Sequence, residues 1–492
     1  MVQGDWDLLK LAYDFLGWLL FVGYLALMVG ISVRVVMKRR PIGVSLAWLF
    51  LIYILPGLGI VSYLLFGEIR LGRKRVERAV AMYTPYGRWI RELVRQFAHP
   101  LAEPSHQAQP LVELVEARLG SPLLKGNRLA LLTEPNEILF ALARDIQASQ
   151  VSCFLEFYIW QPGGWVDEVA DALIAAAGRG VECRVLLDSV GSAAFFKTDW
   201  PRRLSDAGVR LVEVLPVGAW RIPLQRQDLR MHRKLVVIDD QVAYTGSMNL
   251  VDPRFFKRGA GVGQWIDIMV RQQGPVVPLF WSLFVRDWEM ETGERLLEAQ
   301  QHNPEYLDEP DQQVQLVPSG PFTGGDCIQQ ILLQAIYQAR HTLVLTTPYF
   351  VPDDPLAAAL QVAAERGVRV QLILPAKNDS LMATYASQAF FEELLASGVE
   401  IYRFHDGLLH TKSVLVDEAL ALVGTVNLDR RSLWLNFEAT LLVDDPGFAG
   451  ELARVQQDYL QRARPMSWQQ WRQRSRWHRL RENLFYLLSP LL

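Results

Sequence analysis

Two stretches of the chain spell one pattern: His232-Arg233-Lys234-Leu235-Val236-Val237-Ile238-Asp239 and His410-Thr411-Lys412-Ser413-Val414-Leu415-Val416-Asp417. Both read HxKxxxxD. Each is followed by a small-residue turn ending in asparagine, Gly246-Ser247-Met248-Asn249 in the first and Gly424-Thr425-Val426-Asn427 in the second, with 14 residues from histidine to glycine both times. Chance does not place four fixed residue types at fixed spacing twice in 492 residues.

Taken as a strand, His232 to Ile238 alternates its side chains between two faces, so His232 and Lys234 share a face while Asp239 points the other way. His410, Lys412 and Asp417 behave alike. Imidazole beside ammonium suits a phosphate ester, because lysine binds phosphate as a point charge and histidine serves as nucleophile or proton donor. Burying a lysine unpaired in a core is costly, which argues against a merely structural motif. Two converging pairs put two cations around one phosphodiester. One histidine would attack phosphorus and the other protonate the leaving oxygen, a double displacement through a phosphohistidine.

The candidate catalytic set is therefore His232, Lys234, Asp239, His410, Lys412 and Asp417, with the two aspartates expected to hold the turns behind the reactive pairs. Ser247, Asn249, Thr425 and Asn427 are candidate phosphate-binding residues, as donors to the non-bridging oxygens. A nucleophilic histidine needs a partner on its other ring nitrogen. Asp267 in Trp265-Ile266-Asp267 and Glu438 in Asn436-Phe437-Glu438 are the candidate His-orienting acids; the competing reading is a polar residue on the exposed face of a strand. No metal and no cofactor is expected, since a divalent cation would sit beside Lys234 and Lys412 and the motif brings no carboxylate to the shared face.

Outward from the motifs, strand-like and helix-like runs alternate as in an α/β domain. Val151 to Trp160, Val166 to Ala177 and Val181 to Asp188 read strand, helix, strand; Thr342 to Val351, Pro355 to Arg366 and Val368 to Leu374 repeat the order. The junctions share a tripeptide, Arg179-Gly180-Val181 and Arg366-Gly367-Val368. The expected fold is a duplicated α/β domain, two mixed-sheet halves related by a pseudo-twofold that brings both motifs to one site. The halves are placed at residues 111–300 and 311–464, after a polar connector at 69–110 and before a basic, aromatic tail at 465–492.

The chain is 50% hydrophobic with a net charge of -3, so nothing pulls it globally toward nucleic acid. Cys153, Cys183 and Cys327 lack metal-ligand spacing and read as buried thiols. Phe15 to Val33 is uncharged and apolar; its 19 residues span about 28 Å, near the hydrocarbon thickness of a bilayer. Ile42 to Gly67 is a second such run, interrupted by Pro56, Gly57 and Gly59, where a kink is expected. Between them lie Arg34, Lys38, Arg39, Arg40 and Pro41. The expectation is a transmembrane hairpin of two spans over residues 1–68. A cleaved signal peptide fits poorly, because Asp5 and Asp7 precede the apolar run and no small-x-small site follows it. Basic clusters follow both spans, so the face of the membrane stays open. In the tail, Trp468, Trp471, Trp477, Phe485 and Tyr486 lie among five arginines, the composition of a helix at an anionic bilayer surface; a basic helix packed on the body is the alternative.

The motifs resemble those of the phospholipase D superfamily over residues 110–464. Within it, the two-span hairpin with Met37-Lys38-Arg39-Arg40 and Ile54-Leu55-Pro56, the run Gly261-Val262-Gly263-Gln264-Trp265-Ile266-Asp267 and the terminal Ser489-Pro490-Leu491-Leu492 resemble the bacterial cardiolipin synthases. The resemblance implies a phospholipase D-like pair of halves around a shared site in a bacterial inner-membrane enzyme. The implied reaction is transfer of a phosphatidyl group from one phosphatidylglycerol to another, giving cardiolipin and glycerol. It implies that one motif histidine carries the phosphatidyl group, the other acts as acid and base, and Asp267 and Glu438 orient the imidazoles. The expected partners are phosphatidylglycerol and anionic membrane lipid, with no nucleic acid. Against this stand a membrane-anchored phospholipase D using water or another alcohol and, from a different class, an inactive lipid-binding scaffold.

Overall fold

A computed structural model describes residues 2–38, 42–96, 102–218, 225–297, 311–321 and 326–487. The chain forms two compact units, one of Met1–Arg73 with Val217–Asp228, the other of Lys74–Pro216 with Leu229–Leu492.

In the first unit, α1 (Val2–Met37) is long and apolar enough to cross a membrane. The second apolar run is not one continuous helix. It divides into α2 (Ile42–Ile54) and α3 (Pro56–Phe66), since Pro56 lacks an N–H and bars the α conformation at Leu55. Leu55 accordingly sits at φ −122°, ψ 68°. Gly59 lets α3 fold back against α2, for a Cβ there would meet the Leu51 carbonyl oxygen at 2.4 Å. Ile31 and Val35 of α1 pack with Ile52, Ile60 and Tyr63. Arg34 lies inside α1, where its guanidinium forks onto the Glu68 carboxylate at 2.5 and 2.7 Å. Arg39, Arg40 and Pro41 of the expected loop, and Ser489 to Leu492, lie outside the described residues.

The second unit is built on one sheet of fifteen strands. Its first half contributes β1 (Leu124–Leu132), β2 (Ser152–Phe157), β3 (Glu182–Asp188), β4 (Arg210–Val214), β5 (Lys234–Ile238), β6 (Val242–Gly246), a short β7 (Trp265–Ile266) outside the sheet, and β8 (Met269–Gln273). The second half contributes β9 (Gln312–Ser319), β10 (Thr342–Thr346), β12 (Arg369–Pro375), β13 (Glu400–Phe404), β15 (Ser413–Val416), β16 (Leu420–Gly424), β18 (Glu438–Asp444) and β19 (Ala463–Pro465), with short β11 (Phe350–Val351), β14 (Leu408–Leu409) and β17 (Leu428–Asp429) outside the sheet. The order is β19-β13-β12-β10-β15-β16-β18-β9-β1-β8-β6-β5-β2-β3-β4. Read outward from the β9–β1 seam, both sides repeat one sequence of partners, so β5 corresponds to β15 and β8 to β18. The expected duplication is thus written into the hydrogen bonding. In each half the three strands beyond the motif hairpin run parallel to one another and the hairpin is antiparallel, a mixed sheet, to which β19 adds an antiparallel edge in the second half.

The helices expected between strands form at Val166–Gly178 and Asp354–Glu365. Leu155, Val185, Leu187 and Val236 build the core of the first half; Leu345, Leu372, Leu374 and Val414 take the matching places in the second. All three cysteines are buried and free. Two further helices lie against the sheet near the motifs: Val277–Thr292, buried along most of its length, and Pro446–Gln461. The tail packs on the body through Trp471 against Phe391 and Phe485 stacked on Tyr385. Its last helix, Arg476–Leu487, still exposes a row of Trp477, Leu480, Leu484 and Leu487.

Candidate active site

Each motif enters its hairpin strand just after the histidine: β5 begins at Lys234 and β15 one residue past Lys412. His232 is instead fixed by its N–H donating to the Phe437 carbonyl (2.9 Å), and His410 by its N–H donating to the Ile266 carbonyl (2.8 Å). Both acceptors belong to the opposite half. Gly263 and Gly407 make this approach possible, since a Cβ on Gly263 would stand 2.9 Å from the Gly407 Cα. Beyond them β14 pairs with β7, Leu408 against Trp265.

The residue between histidine and lysine points to the other face, as strand parity requires. Arg233, fully buried, pairs with Asp287 and donates to the carbonyls of Glu438 (3.0 Å) and Ser319 (3.3 Å). Thr411 meets the Tyr459 hydroxyl at 3.1 Å.

The two carboxylates cross between halves. His232 donates from Nδ1 to both oxygens of Glu438, at 2.9 and 2.8 Å, while His410 Nδ1 donates to Asp267 Oδ1 at 2.6 Å. With Nδ1 engaged, each ring presents Nε2 for chemistry. Burial drives both imidazoles down to about 4, against the opposing pull of the carboxylates, so both are neutral at pH 7. Burial also pushes Glu438 and Asp267 upward, but the adjacent histidine and lysine outweigh it and hold both ionised. The lysines are buried and do not line the cavity between the rings. Lys234 Nζ donates to the His232 carbonyl and Lys412 Nζ to the His410 carbonyl, both at 2.6 Å. An ammonium has three donors, of which the histidine carbonyl takes one. Burial brings Lys234 to about 8 and Lys412 to about 7.

His232, His410, Asn249 and Asn427 line one cavity of about 290 Å³. Asn249 Oδ1 accepts from the Ile159 N–H (3.1 Å), which turns its amide N–H groups toward the cavity. The hydroxyls of Ser247 and Thr425 are fully buried and do not line it. Each accepts a strand N–H, from Ile268 and Ala439 (both 2.9 Å), and each lies beside a carboxylate, Ser247 beside Asp267 and Thr425 beside Glu438. They support the orienting acids from behind.

Asp239 and Asp417 must be removed from the reacting set. Asp239 accepts the N–H groups of Gln150, Val151 and Ser152 at 2.7 to 2.8 Å, and Asp417 those of Arg340, His341 and Thr342 at 2.7 to 2.9 Å. Each sits at positive φ, 52° and 51°, in the turn that closes the motif hairpin. Strand parity sends them to the far end, where the three amides stabilise a left-handed backbone.

Sequence reading missed other groups at the cavity. Tyr158 packs edge-on to His232 with ring centroids 5.0 Å apart, and Trp265 lies 4.4 Å from His410. Tyr349 donates to Asp379 (2.7 Å), whose other oxygen pairs with Lys257 (2.9 Å). Arg230 and Arg431 complete the wall. Tyr158 directly follows β2 and Tyr349 lies between β10 and β11, in the loops that leave corresponding strands of the two halves; the cations have no such mirror.

The family profile described as "Cardiolipin synthase, PLD-like domain" matches residues 142–260 and 332–460, and one described as "Phospholipase_D-nuclease N-terminal" matches 26–68. Cardiolipin synthase A of Yersinia pseudotuberculosis serotype O:1b is 51% identical over 483 residues, 98% of this chain and 99% of that protein. This chain belongs to the cardiolipin synthase family. Cardiolipin synthase A of Yersinia pestis matches at the same identity and coverage. Among solved structures, phosphatidylserine synthase of Haemophilus influenzae Rd KW20 aligns with a TM-score of 0.57 at 16% identity, covering 78% of this chain and all of that one, a likeness of fold. The chain is therefore a phosphatidyltransferase-type enzyme of the phospholipase D class.

Proposed function

We propose that this enzyme joins two phosphatidylglycerol molecules into cardiolipin and glycerol through a covalent phosphohistidine. The observation that carries the reading is the crossed pair of His–carboxylate contacts, which turns two neutral imidazoles toward one cavity. Nε2 of one neutral histidine attacks phosphorus as the bond to the glycerol oxygen breaks, and the other histidine, which takes up a proton from solvent as the anionic phosphate enters beside it, gives that proton to the oxygen. The glycerol hydroxyl of a second phosphatidylglycerol then attacks phosphorus, its proton passing to the second histidine as the N–P bond breaks. Lys234 and Lys412, with the amides of Asn249 and Asn427, stabilise the non-bridging oxygens.

The lipid substrate fits the apolar amino terminus. In this reading both α1 and the α2–α3 pair enter the inner membrane as a kinked hairpin, and the exposed row from Trp477 to Leu487 rests on its surface. The test is direct: the purified chain in detergent with phosphatidylglycerol alone yields cardiolipin and an equal amount of glycerol. Phosphatidic acid without cardiolipin would overturn the reading.

A further inference from the structure

The two ends of the cavity carry different cations. A phosphodiester bears one negative charge, and in the proposed reaction Lys234 and Lys412 already serve the one under attack. Arg230 and Arg431 add two more cations on one wall. Both are set by the segment that carries Glu438: Phe437 donates its N–H to the Arg230 carbonyl (3.0 Å), and Leu435 and Asn436 donate theirs to the Arg431 carbonyl (both 2.8 Å). Because Glu438 orients His232, the arginines belong to the His232 end. Asp188 is a charged neighbour of Arg230, and Asp429 of Arg431. At the other end Lys257 is paired with Asp379, which also takes the Tyr349 hydroxyl. Nor is the arginine wall a consequence of the duplication. The residue two before His410 is Leu408, not a cation, and Pro253 stands where the second half has Arg431.

The proposed reaction, on which this inference rests, brings two phosphodiesters into the cavity. One is attacked; the other belongs to the acceptor and lies one glycerol away from the reacting phosphorus. We propose that Arg230 and Arg431 form a second phosphodiester subsite, which holds the acceptor's own phosphate and selects an anionic lipid over water or a neutral alcohol. Guanidinium suits the task, since it stays charged and forks onto two phosphate oxygens. A neutral acceptor has nothing to place there.

The experiment uses the full chain in mixed micelles of phosphatidylglycerol with added ethanol, following cardiolipin, phosphatidic acid and phosphatidylethanol together. R230Q and R431Q are expected to lower the ratio of cardiolipin to phosphatidylethanol by about tenfold each, the worth of a charge-assisted hydrogen bond. R230K and R431K should recover part of that ratio, which a purely structural role would not produce. The phosphatidylethanol formed is itself proof that the variants are folded and cleave the donor. An unchanged ratio overturns the subsite. So does a fall of all three products in step, which would assign the arginines to the donor. A wild-type chain that makes phosphatidylethanol but no cardiolipin refutes the proposed function itself, and is distinguishable because no variant is needed to see it.

Discussion

The two motifs are spelled alike yet held differently. His232 is gripped by both oxygens of a glutamate and backed by a buried Arg233–Asp287 pair; His410 has one oxygen of an aspartate at 2.6 Å and a Thr411–Tyr459 hydroxyl contact. Glutamate is one methylene longer, and its side chain leaves from the first residue of β18, whereas Asp267 follows β7. The same task is met by different reach. What the difference teaches is that the halves are complementary in function, for neither contains the carboxylate of its own histidine.

The largest effect should come from breaking both motifs in turn. His232→Ala and His410→Ala are each expected to lower turnover at least about a thousandfold while membrane association, measured by flotation, is kept. Appreciable activity in either would reduce the comparison to one essential motif. Next, Glu438→Gln and Asp267→Asn should each cost about a hundredfold and act across the halves. Single-turnover assays sharpen the point: one variant should slow formation of the phosphatidyl-enzyme and the other its breakdown, and identical kinetics would sink the division of labour.

The pH profile tests the shared burial. Both imidazoles titrate near 4 in the folded chain but near 6.5 when unfolded. The unfolded chain therefore binds more protons between these values, and stability must fall as pH drops from 6.5 toward 4. Calorimetry should show the melting temperature declining through that window, less so in His410→Ala. On the alkaline side, loss of the Lys412 and Lys234 charges places a limb in kcat/KM between about 7 and 8. Activity undiminished at pH 9 would contradict it. The smallest effect belongs to the turns: Asp239→Asn and Asp417→Asn should lower stability by about 1–2 kcal/mol in chemical denaturation, with kcat per folded molecule unchanged.

Much of this was legible in the sequence, because parity and repetition are local. The alternation of His232, Arg233 and Lys234 between faces, the turn role of Asp239 and the doubled strand–helix–strand order all follow from spacing. Asp267 and Glu438 were recognisable as carboxylates in apolar runs. Which histidine each serves was not, since His232 and Glu438 are separated by 206 residues and only the docking of the halves joins them. Ser247 and Thr425 carry the right chemistry for phosphate, but the glycine before each draws the strands so close that the hydroxyls meet the neighbouring backbone. Arg230, Lys257 and Arg431 lie on irregular segments whose direction no periodicity dictates. The break at Leu55 was visible as Pro56, though composition alone suggested a bent helix rather than two.

The crossed carboxylates also govern when the enzyme comes alive. Synthesis runs from the amino terminus, so α1 is made first and His232 some 206 residues before the Glu438 that orients it. Until then the nascent chain has a histidine without its orienting carboxylate. A chain truncated anywhere before residue 438 lacks the carboxylate that holds His232. The His232 site is complete only when the second half meets the first.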